Sequence, residues 1–180
     1  MGYNKEVLTC QYFVVSFFVQ HFAYYKSLSA VEGRINDHDF FWARTIFGHL
    51  ELAVIEWCKV FGSPKEQTHW TKAIGPCAVQ QASQDFCHRL LSKTGFTQNE
   101  WKDYQTKMLI LRNKFVAHLD MGGVMQGGLP HFDPALQVAY AYEEWAKAIE
   151  PALKEHDSLR YWYEKWKAEA SSVVSLYNYP

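Results

Sequence analysis

Polar side chains with complementary chemistry cluster near the end of one predicted helix. Arg112, Asn113, Lys114 and His118 follow one another closely there, and Asp120 comes just after them. Histidine titrates near neutral pH and can serve as a general base or acid, whereas arginine stays charged and can hold a phosphate with two parallel hydrogen bonds. These residue types together suit proton transfer beside a bound phosphate.

Helix geometry constrains how these groups could cooperate. An ideal α-helix separates Arg112 and His118 by about 120° around its axis and about 9 Å along it. The two side chains therefore need not touch, and a complete site would need a second copy of the segment. Lys114 lies one turn before His118 on the same stripe. Asp120 either pairs with Arg112 or Lys114 or is an ordinary surface acid.

The same residues can also simply finish a helix. Polar side chains near a helix C-terminus satisfy the last carbonyl groups, and a histidine there gains from the helix dipole. Both interpretations remain open at this point.

The elements around this segment are predicted to be helical, with no convincing strand pattern, so we expect an all-α bundle of five to six helices in a single domain, residues 1–180. Apolar residues at helical spacing predict a first helix that is covered on two sides. Caps and breakers predict the other helices. The second helix is predicted from Asp37 or Asp39 to Gly62, and a short helix follows from the Ser63–Glu66 capping box to about Ile74. The next two helices are predicted over about 78–93, before Gly95, and from the Thr97–Glu100 capping box to Gly122. A further helix begins at Asp133 and is bent or broken near Pro151, and the last helix runs from Asp157 to about Tyr177.

Bulk composition limits the function classes. The formal net charge of -1 gives no global positive field for nonspecific nucleic-acid binding, so any such contact must be local. An aromatic share of 17% indicates bulky packing or a large interface, and we expect a homodimer. The apolar stretch 12–19 is too short to span a bilayer, so no membrane association is expected. Four cysteines without CxxC spacing predict free thiols in a reducing compartment, the cytoplasm: Cys10, Cys58, Cys77 and Cys87.

The ten-residue segment LRNKFVAHLD, residues 111–120, resembles the signature helix of HEPN domains. Its closing Ala-His-x-Asp pattern is most similar to the abortive-infection (AbiU-type) branch, and Trp57, Phe61, Gly62 and the pair His69 and Trp70 are also similar to that branch.

This resemblance implies a metal-independent ribonuclease without a cofactor, whose site forms where two protomers bring their signature helices together. His118 would then exchange the proton of the attacking ribose 2′-hydroxyl or of the leaving oxygen, and Arg112 would hold the phosphate. Asn113 would orient the arginine or bind the substrate. The implied setting is phage defence or a toxin–antitoxin system, with RNA as substrate and an antitoxin as a further partner. The alternative is a noncatalytic module that binds a partner protein, RNA or a nucleotide.

Three further groups of residues are weighed against ordinary structural roles. His49, Glu51 or Glu56 on the second helix could add a polar group to the site, and His49 and Glu56 share a helical face. Carboxylate and histidine at i, i+3 in Glu66 with His69 and Asp85 with His88 have the spacing of di-metal bundles, but such a site needs carboxylates from two other helices, and capping already explains Glu66. The stretch 160–167 alternates bases with aromatic residues and either stacks nucleotides or faces the core or a dimer partner.

Overall fold

The computed structural model describes residues 2–30, 40–116 and 130–176. Helices dominate these ranges, and the only β-type pairing in them is an isolated bridge between Tyr3 and Ile74. The predicted all-α helical bundle is therefore confirmed. Its six α-helices are α1 (Lys5–Ser29), α2 (Phe40–Phe61), α3 (Val79–Thr94), α4 (Gln98–Leu111), α5 (Asp133–Ile149) and α6 (Leu159–Leu176).

Helix α1 occupies the middle of the bundle. It packs chiefly against α2 on one side and α6 on the other, with α5 also in contact. Leu8, Val15 and Phe22 on its inner faces are fully buried, whereas Phe13 and Phe17 are about half exposed. The helix is thus covered on two sides, as its wide apolar stripe predicts.

Much of the aromatic content fills the core beside α1. Trp57 of α2 packs edge-on against Trp101 and Tyr104 of α4. Phe61, at the end of α2, stacks on Phe86 of α3 and meets Tyr142 of α5 edge-on. Large rings therefore join α2, α3, α4 and α5, and one apolar cluster contains residues from all six helices.

The short helix predicted from Ser63 to Ile74 is not formed. The chain instead makes consecutive turns, in which the Glu66 amide donates to the Ser63 carbonyl oxygen at 3.0 Å, followed by a 3₁₀ helix at Trp70–Ala73. A capping box needs the Glu66 carboxylate to accept from the Ser63 backbone. That carboxylate binds Arg112 instead, so the capping role expected for Glu66 is wrong.

The other helix ends follow the predicted signals closely. Gly95 closes α3 in the left-handed conformation at φ 72°, and the capping box of Thr97 and Glu100 is complete. Helix α5 ends at Ile149, before the 3₁₀ helix Pro151–Glu155. Ser158 rather than Asp157 caps α6, because its hydroxyl oxygen accepts from the amide of the third residue after it. The predicted boundaries at Asp37, Asp39, Gly122 and Tyr177 lie outside the described residues.

Helix α1 is also long and apolar enough to cross a membrane by length and composition alone. The core helix of a soluble protein and a signal sequence pass the same test. Of its most apolar 18-residue window, 44% is buried inside the bundle.

A buried amide ties α1 to two distant parts of the chain. Gln11 is fully buried, and its Nε2 donates to the His69 carbonyl oxygen at 2.8 Å. The Tyr142 hydroxyl of α5 donates to Gln11 Oε1 at 2.9 Å. Because a buried polar group without a partner is costly, these bonds fix the position of the turn segment before Trp70.

Replacing Gln11 with methionine should test this constraint. The Gln11→Met side chain keeps a similar size but leaves the His69 carbonyl and the Tyr142 hydroxyl without their partner. We expect urea denaturation to show a loss of roughly 1–3 kcal/mol in the free energy of unfolding. Gln81→Met, on the exposed side of α3, is the control and should change it by less than about 0.5 kcal/mol. Equal stability of both variants would contradict the assigned role.

Candidate functional site

The chain changes its helical form where the predicted site begins. Helix α4 ends at Leu111, and residues Arg112–Val116 continue as a π-helix. A π-helix has i→i+5 hydrogen bonds and therefore more residues per turn, and such insertions are frequent at functional sites. The separation of about 120° between Arg112 and His118 assumed an unbroken α-helix, and that assumption is wrong for this segment.

Arg112 is held by two described neighbours. Its Nη1 lies 2.8 Å from Glu66 Oε1, and its Nε donates to Asn113 Oδ1 at 3.1 Å. The Arg112 side chain is 24% exposed, and Asn113 and Lys114 are both exposed. The π-helical turn therefore places a fixed guanidinium and its neighbouring amide at the protein surface, with the exposed Lys114 on the same turn.

The end of α2 determines how Glu66 reaches Arg112. A Cβ at Gly62 would clash with the Cys58 carbonyl oxygen and lie 3.0 Å from the Leu109 side chain, so only glycine fits there. Gln105 of α4 donates to the carbonyl oxygens of Phe61 and Gly62. Because α2 packs closely against α4 here, the turns that follow Gly62 lie beside the start of the π-helix.

Cys58 lies near Arg112 but is not a nucleophile. Burial raises its pKa to about 12, and the opposing effect of the Arg112 charge is smaller. Thiolates are the reactive form of cysteine, so this thiol is inert at neutral pH. Cys58 is buried, Cys87 is partly buried and Cys10 is exposed, and all three are free thiols.

His69 is likewise a structural group and not an acid–base candidate at neutral pH. Burial lowers its pKa to about 4, helped by the Lys72 charge and opposed by Glu66. Its Nδ1 lies 2.7 Å from Thr71 Oγ1, and its carbonyl oxygen accepts the bond from Gln11. His69 is therefore neutral at physiological pH and belongs to the framework that positions Glu66.

His118 and Asp120 lie outside the described residues, as does the predicted alignment of Lys114 with His118. Of the predicted catalytic residues, the structure describes Arg112 and Asn113, and it places them in direct contact.

Of the second-helix candidates, His49 and Glu56 lie on the side of α2 that faces α1. His49 Nδ1 is 3.0 Å from Nδ1 of His21, a residue that the sequence interpretation did not select. Burial lowers the pKa of both rings, while Glu56 opposes that shift at His21. Glu56 also forms an ion pair with Lys59 at 2.7 Å. No hydrogen bond or ion pair between described residues connects this group to Arg112. Glu51 lies on the outer side of α2.

The described residues give little support to a di-metal site or to nucleotide stacking by residues 160–167. No group of three or more metal-ligating side chains occurs in the described ranges, and Asp85 pairs with Arg89 rather than with His88. In the stretch 160–167, Tyr163 is buried and Trp166 packs against the core, as a core-facing helix requires. Tyr161 remains about half exposed.

The histidines predict how stability depends on pH. His69, His21 and His49 all have pKa values below the ordinary 6.5 in the folded chain, so the unfolded chain binds more protons at acidic pH. Stability should be fully present above about pH 6.5 and fall as the pH drops towards 4, with His69 contributing on the order of 3 kcal/mol.

Urea denaturation at pH 7.5, 5.5 and 4.5 measures this slope. His69→Asn cannot take up the proton, so it should flatten the slope while keeping an acceptor for the Thr71 amide. A slope that is the same with and without the substitution would contradict the assignment to His69.

Comparison with known proteins gives no relative from which a role for Arg112 could be transferred. No protein-family model, curated protein or solved structure matches this chain.

Proposed function

We propose that this chain is a metal-independent ribonuclease of the HEPN type, active in a phage-defence or toxin–antitoxin system in the cytoplasm. Its site would be formed by two protomers and would need no cofactor. The observation that best supports this proposal is the partly exposed Arg112, fixed at a π-helical turn by Glu66 and Asn113.

Arg112 keeps the capacity to bind a phosphate in this arrangement. A guanidinium has five N–H donors, and the described residues engage two of them. Glu66 and Asn113 fix the plane of the group before a substrate arrives, which reduces the entropy lost on binding. The exposed Lys114 adds a second positive charge to the same turn. This is the preorganised cation that a phosphate accumulating negative charge requires.

His118 supplies the proton transfer in this proposal. As general base it takes the proton of the ribose 2′-hydroxyl while that oxygen attacks phosphorus, and the leaving 5′-oxygen receives a proton in turn. Two transfers at opposite ends of one phosphate suit two histidines, one from each protomer. No step requires a metal ion.

The ion pair between Arg112 and Glu66 also favours a second candidate, a noncatalytic interaction module. An arginine that binds a carboxylate and the neighbouring amide has a structural role without any substrate. In such a module the same fold would bind a partner protein, RNA or a nucleotide, and the polar residues would only position the turn segment.

Cleavage of cellular RNA in EDTA separates the two candidates. The wild type should cleave, and His118→Ala and Arg112→Ala should each lose at least about 100-fold in rate, the usual size of general acid–base and charge-stabilising effects. His88→Ala and Arg89→Ala are matched controls, because His88 is exposed on α3 and Arg89 is a similar ion-paired arginine. Both controls should retain wild-type activity.

The outcomes distinguish the alternatives. Equal cleavage by all five proteins would indicate a contaminating nuclease. No cleavage of diverse RNAs by a folded wild type would exclude the ribonuclease and favour the interaction module. A parallel reaction without EDTA completes the test, because cleavage that occurs only there would contradict the metal-independent mechanism.

A further inference from the structure

A cavity rich in positive charge lies between α3, α5, the 3₁₀ helix Pro151–Glu155 and the start of α6. Its volume is about 560 Å³, and small-molecule sites usually measure about 300–1,000 Å³. Two carboxylates line it, those of Glu143 and Glu144. Five cationic side chains line it as well: Arg89, Lys93, Lys147, Lys154 and Arg160. We call this site the basic cavity.

The positive charge of the basic cavity is local. The whole chain has a formal net charge of -1, whereas five positive and two negative side chains line this cavity. Two other cavities in the described part of the chain are each lined by a single lysine, Lys26 in one and Lys102 in the other, and by no arginine. A cleft lined mainly by charges of one sign concentrates ligands of the opposite sign.

Both carboxylates of the basic cavity are already engaged by the protein. Glu143 is buried, and its Oε1 accepts from the Leu159 amide at 2.9 Å and lies 2.9 Å from Lys147 Nζ. Glu144 Oε1 lies 2.7 Å from Lys93 Nζ. These two negative charges therefore balance Lys147 and Lys93 and leave the other cations of the cavity uncompensated.

Lys154 and Arg160 are exposed cations without a negative partner in the described ranges. Glu164, one turn after Arg160 on α6, lies 3.5 Å from Lys167. The centre of the Arg160 guanidinium lies 5.1 Å from the centroid of the Tyr140 ring. This contact holds the guanidinium at the cavity without neutralising its charge.

We propose that the basic cavity binds a small anion that carries two or more linked phosphate groups, such as an oligophosphate or the phosphate chain of a nucleotide. Ammonium and guanidinium groups form strong, charge-assisted hydrogen bonds to phosphate oxygens. Arg89, Lys154 and Arg160 come from three different elements. A chain of phosphates offers acceptors to all three, whereas a single phosphate offers fewer acceptors and less charge.

The cavity recognises the phosphates and not a nucleotide base. Tyr140, the aromatic residue of its lining, is buried and is covered by Arg160. A base therefore finds no free ring there on which to stack. No hydrogen bond or ion pair of the described residues joins the lining to Arg112, so the inference does not rest on RNA cleavage.

Isothermal titration calorimetry with inorganic tripolyphosphate tests the proposal, in a buffer without divalent cations. The wild type should bind one tripolyphosphate per chain, and adenosine triphosphate should bind with a similar dissociation constant. Adenosine, which has no phosphate, should not bind. Adenosine triphosphate that binds much more tightly would identify a nucleotide as the natural source of the phosphate chain.

Charge-removing variants locate the binding site. Lys154→Gln and Arg160→Gln should each raise the dissociation constant for tripolyphosphate by about tenfold or more, since each removes a charge-assisted bond. Lys165→Gln is the matched control, because Lys165 is also exposed on α6 and lies 4.5 Å from an aromatic ring, that of Trp162, but does not line the cavity. This control should bind like the wild type.

Glu144→Gln should have the opposite effect. It removes a half-exposed carboxylate from the cavity and frees Lys93 for the ligand, so the dissociation constant should fall by about threefold or more. Damage to the fold would not tighten binding, so this variant separates a binding role from a structural one.

Three outcomes would overturn the proposal. The first is a folded wild type that binds no tripolyphosphate. The second is an equal loss of affinity in Lys165→Gln and in the two cavity variants, which would indicate nonspecific charge attraction. The third is binding of adenosine as tight as that of its triphosphate, which would show that the base and not the phosphate chain is recognised.

Discussion

The hydrogen bonds of one buried amide hold together the parts of this protein that matter for its candidate site. Gln11 is fully enclosed in the bundle, where an unpaired polar group would be costly, so it must find partners. It finds them in the His69 carbonyl and the Tyr142 hydroxyl. The central helix thereby fixes a turn segment that has no regular helix of its own.

The position of that turn segment decides where Glu66 lies. The His69 amide donates to the Glu66 carbonyl oxygen, and the Thr68 hydroxyl donates to the Lys59 carbonyl oxygen near the end of α2. With its backbone fixed at both ends, Glu66 reaches Arg112 at the start of the π-helix. The ion pair is partly exposed and contributes little stability, so its main effect is to orient the guanidinium.

Helix α2 contributes both to the core and to the surroundings of the candidate site. Its inner residues supply Trp57 and Phe61 to the aromatic core, and its end at Gly62 allows the close contact with α4 that directs the turn segment.

The sequence by itself determined the class of fold and most helix boundaries, because these depend on local signals. Apolar periodicity, the left-handed Gly95 and the capping box at Thr97 each act within a few residues. The resemblance of residues 111–120 to HEPN domains also indicated Arg112 and Asn113 as candidate site residues, from the local sequence alone. The tertiary structure decided which partner Glu66 takes, because a distant arginine competes with the local cap. It also decided the π-helical turn at Arg112 and the contact of His21 with His49. These features depend on packing between helices that are far apart in the chain, which no local pattern records.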